Sequence, residues 1–276
     1  MNRSAYRKTT FNIPSCRKLW ENCGRFDSII EFQECAHSDF KVSYMDAFSK
    51  DGISMPEYVN KRSRELNIYL GHFNEPNYED SLYGCYLIPP MSCFDAFLYE
   101  FVDDLKLLGF RKAKINPRSS LTKFKQVENI LKKNGILVGF ELWNKDVDEY
   151  FRLRRNAVAH GLDDSHFQSA LVKAVSWKAD IKSRYGIFGD LLDTGGHLTF
   201  YDFLLCTTNV KNIADLMTIA IETGINWRKV GKSHPKYIDY KQMNGMNRDK
   251  KIEYIRKRVH AMYSITLTDV QCSYFF

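Results

Sequence analysis

Residues Arg154 to Gly161 read Arg-Arg-Asn-Ala-Val-Ala-His-Gly, and the Arg155-Asn156-x-x-x-His160 core of that run joins a fixed cation, an amide and an imidazole. A guanidinium clamps a phosphate bidentately, an amide orients it, and an imidazole moves protons near neutral pH. That set suits phosphodiester cleavage. In such a reaction one imidazole takes the proton of a ribose 2′-hydroxyl and a protonated one donates to the leaving 5′-oxygen. Arg155, with Arg154 in support, would stabilise the charge of the phosphorane-like transition state, while Asn156 positions a phosphate oxygen or the imidazole. A 2′-hydroxyl nucleophile makes RNA the substrate, removes the need for a metal or other cofactor, and leaves 2′,3′-cyclic phosphate and 5′-hydroxyl ends.

Spacing alone carries little weight, because Arg228 and His234 repeat a similar separation with none of the surroundings. The weight lies in Asn156 directly after Arg155, the small residues between, Gly161 directly after His160, and the helix before them. At about 100° per residue, Arg152, Asn156 and His160 share one helix face, whereas Arg155 stands about 140° from His160. Arg155 therefore needs its length, or a second copy of the helix across a two-fold axis, to reach the same phosphate. The alternative for these residues is a capped helix end, with the arginines paired to Glu149, Asp163 or Asp164.

The string Leu153 to Gly161 resembles the signature of the HEPN superfamily, small helical domains in which an Arg-polar-x(3 to 5)-His motif closes a helix. The resemblance extends over residues 88–225 at most. It implies an all-α, HEPN-like helical bundle, a metal-independent endoribonuclease acting as a toxin or as an antiviral or abortive-infection effector, and a homodimer whose paired motif helices form the site. It also implies an antitoxin or sensor protein as partner, and a further polar residue from a preceding helix, for which Glu100 is chosen over Asp103. One departure is Leu162, where the branch paired with nucleotidyltransferase antitoxins has Tyr. Some members of the superfamily do not cleave, so a non-catalytic module binding RNA, nucleotide or a protein partner is the competing expectation.

The positioning elements follow from periodicity. Phe94, Phe97, Leu98, Phe101, Leu105 and Leu108 repeat at three and four residues, predicting a buried helix opened by Ser92 and ended at Gly109. A second is predicted from Ser120 to Asn134, a third over about 140–160, a fourth from the Asp163-Asp164-Ser165 cluster to Tyr185, and a long apolar one from Thr199 to Thr223. Before these, a helix is expected from Pro56 to Gly71, a loop over His72 to Asn77, and a short strand at Phe40 to Tyr44. Gly186 to Gly196 reads as a connection, and a final helix runs from Arg248 to Tyr263. The expected division is an N-terminal extension over 1–85, the bundle over 86–225, and a basic C-terminal element over 226–276.

Charge is unevenly distributed. Residues 1–20 hold Arg3, Arg7, Lys8, Arg17 and Lys18 without an acid, read as a basic arm broken by Pro14 and Cys16, and residues 226–260 hold 11 Lys or Arg against 3 acids. Both flank an acidic body, as expected if the ends hold a polyanion. Arg228, Lys229, Lys232 and Lys236 are the candidate RNA contacts. Interleaved Trp227, Tyr237, Tyr240 and Tyr254 would either stack on unpaired bases or dock the element onto the bundle. The seven cysteines form no CxxC pair, no P-loop or zinc spacing is present, and no run nears the roughly 20 apolar residues of a membrane span. A soluble cytoplasmic protein with reduced thiols is the expectation.

Overall fold

A computed structural model describes residues 10–70, 73, 78–110, 113–186 and 190–276. Among these residues the fold is all-α, with no strand. In chain order the helices are α1 (Pro14–Asp51), α2 (Met55–Glu65), α3 (Tyr78–Tyr86), α4 (Ile88–Leu107), α5 (Lys123–Lys133), α6 (Leu142–His160), α7 (Gln168–Ser176), α8 (Lys178–Tyr185), α9 (Phe200–Glu222), α10 (Trp227–Lys232), α11 (Tyr240–Met243), α12 (Arg248–Tyr263) and α13 (Asp269–Ser273).

At the centre lie α4 and α9, which pack on each other and on α1 and α6. The phenylalanines of α4 fall on the stripe that the periodicity predicts, and Phe94, Phe97 and Phe101 are buried with ring centroids 6.0 and 5.4 Å apart along the row. Burying each such ring contributes roughly 2 kcal/mol. Helix α9 is apolar on most of its circumference, as suits a helix enclosed by neighbours. Its polar atoms are matched across the packing: Asn144 and Asn209 join α6 to α9 at 2.9 and 3.0 Å, and Asp27 of α1 accepts from Thr207 at 2.9 Å and pairs with Lys211.

Phe11, Ile13, Cys16, Leu19, Cys23 and Ile30 belong to the same hydrophobic core as residues 86–225, and so do Trp227, Ile255, Val259 and Tyr263. The two ends meet, since Asn12 N donates to Tyr263 O at 2.9 Å and the Phe11 and Tyr263 rings stack at 6.2 Å.

Several expectations are corrected. The strand expected at Phe40 to Tyr44 lies inside α1: Phe40 and Tyr44, one helical turn apart, both pack on Tyr58 of α2 at 5.4 and 5.7 Å, so an alternation of two was half of a spacing of four. Pro14 does not break a helix but opens α1, where its missing N–H costs no bond, and Arg17 and Lys18 are helical rather than part of an arm. Residues 1–9, with Arg3, Arg7 and Lys8, lie outside the described residues, as do most of the loop expected at His72 to Asn77 and part of that at Gly186 to Gly196.

Ser92 is internal to α4, which begins at Ile88 with Pro89 and Pro90 in its first turn. Thr122 rather than Ser120 caps α5, accepting from Lys125 N at 3.2 Å. The fourth helix is two, α7 and α8, parted at Trp177, whose indole N–H is pinned to Asp146 at 2.8 Å. No described helix is long and apolar enough to cross a membrane.

Candidate functional site

Helix α6 carries the motif. It opens with a reciprocal cap between Glu141 and Asn144, buries Trp143, Val147, Tyr150, Phe151, Arg154 and Ala157, and ends at Gly161, whose φ of 62° is the left-handed conformation that glycine adopts without strain. Its last turn is held close to α3. A Cβ built on Gly84 would lie 2.7 Å from Val158 Cγ2, so the two helices meet at a contact that only glycine permits.

The two adjacent arginines do different things. Arg154 points into the core, 6% exposed, with its guanidinium 4.5 Å over the Phe167 ring and paired with Asp80. Asp80 also accepts from Leu198 N at 2.7 Å, so this pair ties α3, α6 and the 190–199 loop together. Arg155 turns the other way. Its Nη2 donates to Asp95 Oδ2 of α4 at 3.1 Å, and Lys123 Nζ of α5 lies 3.0 Å from the same oxygen.

These groups line an open cleft of about 320 Å³ between α4, α6 and the loop leading into α5. Arg152 and Asn156 line it too, together with Tyr99, Asn116 and Gln126. Arg152 is held by Glu149 through Nε at 2.9 Å and Nη2 at 2.7 Å. Behind this surface Asp148 is buried, with Oδ1 lacking a partner among the described residues. Burial first, and the neighbouring Glu149 charge second, push its carboxyl up to about 7, against the pull of Arg152.

The structure thus gathers Arg152, Arg155 and Asn156, whereas His160 is exposed at the helix end and is not among the cleft's lining residues. The helix face expected to hold Arg152, Asn156 and His160 is divided by this geometry, and Arg155 joins the cleft through α4. Glu100 is away from it, paired with Lys18, and Asp103 is paired with Lys106 at 2.7 Å. The carboxylate that reaches the motif from α4 is Asp95, and with Lys123 it is the group that sequence reasoning missed. Neither carries a signal in its spacing, since Asp95 and Lys123 lie far from the motif in sequence.

In the basic element, Arg228, Lys229, Lys232 and Lys236 are exposed, and Lys229 also donates to Gly109 O and packs along that glycine. The aromatics turn inward. Trp227 is 8% exposed and lies 6.0 Å from the Tyr263 ring, and Tyr237 lies 5.7 Å from it. Tyr254 accepts from Asp239 N at 3.0 Å. Trp227 and Tyr237 therefore dock the element rather than offer free faces to bases.

No family model, no curated protein and no solved structure matches this chain.

Proposed function

We propose that this chain is a metal-independent endoribonuclease of the HEPN type, cleaving RNA by attack of the 2′-hydroxyl to leave 2′,3′-cyclic phosphate and 5′-hydroxyl ends. The observation that carries the proposal is the gathering of Arg152, Arg155 and Asn156 of one helix, with Lys123 facing them, in an open cleft beside an exposed imidazole on the last turn of the same helix. Arg155 clamps the scissile phosphate as Asp95 yields it, Asn156 orients a phosphate oxygen, and His160 moves the proton.

Because His160 is solvent-facing and lies off the lining of its own cleft, the site is completed by a second copy, whose motif helix meets the first across a two-fold axis. The exposed Arg228, Lys232 and Lys236 carry the flanking phosphates. An activity of this kind fits a toxin or antiviral effector held in check by an antitoxin or sensor protein.

The test is purified protein on mixed RNA in excess chelator. The expected result is cleavage with cyclic phosphate ends that is abolished in His160→Ala and in Arg155→Ala. Equal survival of RNA with the unaltered chain and His160→Ala would overturn it. One observation favours a second reading, a non-catalytic module that binds RNA or nucleotide: Arg155 is already engaged by Asp95, and the cleft does not include His160. That reading expects RNA binding sensitive to Arg155 and indifferent to His160.

A further inference from the structure

Tyr99 of α4 lines the cleft one turn beyond Asp95, and at 41% exposure it is a large aromatic left open to solvent beside three cationic side chains. Lys123 Nζ stands over the ring, 5.1 Å from its centre, and 3.0 Å from Asp95 Oδ2, so one ammonium covers that aromatic face and pairs with the carboxylate that holds Arg155.

The opposite wall is a stiffened loop. Gln126 accepts from Asn116 N at 2.8 Å and donates from its amide to Leu121 O at 3.0 Å, clamping the turn from both ends. Asn116 Oδ1 accepts from Arg118 N at 3.1 Å, which leaves the amide nitrogen of Asn116 as a donor without a partner among the described residues. Arg155 Nε is likewise buried without one. Lys123, Arg152 and Arg155 face two carboxylates, Asp95 and Glu149, so the cleft retains positive charge while the buried Asp148 behind them holds its proton, below about pH 7.

An aromatic face, a cation within reach of it and an amide donor on a rigid wall are the components that hold one nucleotide of a single strand: stacking for the base, charge for the phosphate, an amide for the base edge. The volume of about 320 Å³ is at the small end of pockets that enclose a ligand, matching one nucleotide rather than a duplex.

We infer that this cleft is a single-nucleotide subsite for single-stranded RNA, with a base on Tyr99, its phosphate between Lys123 and Arg155, and Asn116 at the base edge. The inference rests on the reading of this chain as an RNA-acting protein, and it names the part of the substrate that fixes which phosphate is presented. Tyr99 is a positioning residue. Lys123 leaves both Asp95 and the face of Tyr99 when the phosphate arrives, and the ring so uncovered takes the base.

The experiment measures binding of a fluorescein-labelled, mixed-sequence RNA hexamer, methylated at every 2′-oxygen so that it cannot be cleaved. The full chain is compared with Tyr99→Ala, Tyr99→Phe and Lys123→Gln, and cleavage of unmodified RNA is followed in parallel. Tyr99→Ala is expected to raise Kd roughly tenfold, Tyr99→Phe to retain the affinity, and Lys123→Gln to weaken binding and flatten its salt dependence. Thermal melting of each variant confirms folding, and should Tyr99→Ala not fold, Tyr99→Ser and Lys123→Gln decide the outcome.

Tyr99-dependent binding without cleavage upholds the subsite and removes the nuclease reading. Cleavage whose KM and fragment pattern are unchanged in Tyr99→Ala and Lys123→Gln overturns the subsite and leaves the nuclease reading standing. A full chain that does not bind the hexamer overturns the subsite.

Discussion

Arg155 and Asp95, 60 positions apart, share a hydrogen bond of 3.1 Å at the mouth of the cleft, while Arg154 beside it turns into the core toward Asp80. One helical step, about 100°, separates a cation paired in the cleft from one buried in the core.

The two arginines should therefore separate in stability and activity. Arg154→Ala strands the Asp80 carboxylate against Leu198 and removes the contact over Phe167. It is expected to cost about 3 kcal/mol in urea unfolding. Arg155→Ala removes a partly exposed pair and should cost less than about 1 kcal/mol while eliminating RNA cleavage. Equal destabilisation by the two variants would contradict this division.

Asp148 predicts a pH dependence. Its folded-state pKa of about 7 lies above the 3.8 of an ordinary aspartate, so the folded state holds the proton more tightly than the unfolded one. Stability from this group is intact below about pH 4, falls as the pH rises, and is fully lost above about pH 7. Asp148→Asn should thus be more stable than the unaltered chain at pH 8, by on the order of 4 kcal/mol, and no more stable at pH 4. Unfolding curves at the two pH values check the sign.

At Gly84 the close approach of α3 to Val158 makes a paired test. Gly84→Ala forces the stiff, branched Val158 aside and should cost roughly 1 to 3 kcal/mol. Val158→Ala in the same chain makes room and should recover much of that loss, giving a favourable coupling in a double-mutant cycle. Additive losses would show that the two side chains do not compete for space.

On the proposed reading, the exposed cations of the C-terminal element act by charge alone. Replacing Arg228, Lys232 and Lys236 with glutamine should weaken single-stranded RNA binding and reduce the slope of log K against log salt by about 2. Trp227→Ala, by contrast, should lower the melting temperature and leave that slope unchanged, because the indole is packed on Tyr263. A loss of slope in Trp227→Ala would reverse the assignment.

What the sequence discloses depends on whether a segment has one constant neighbour. Helices α4, α6, α9 and α12 lie with a continuous apolar face against the core, so their periodicity reads directly. The outer half of α1 meets α2 and α3 through scattered contacts such as Phe40 on Tyr58 and His37 on Glu79, and no stripe forms to be read. Arg155 and Asn156 were legible as local chemistry. Asp95 and Lys123 were not, because their roles come from the packing of α4 and α5 beside α6. Glu100, the polar residue expected from a preceding helix, is instead paired with Lys18 of α1.

The bond from Asn12 to Tyr263 ties the segment ahead of α1 to the end of α12, far along the sequence. Phe11 lies ahead of α1 and stacks on Tyr263 at the end of α12, so this corner of the core closes when both elements are in place. A chain cut short of α12 would leave bare the side of Phe11 that Tyr263 covers, and apolar surface exposed in this way favours aggregation.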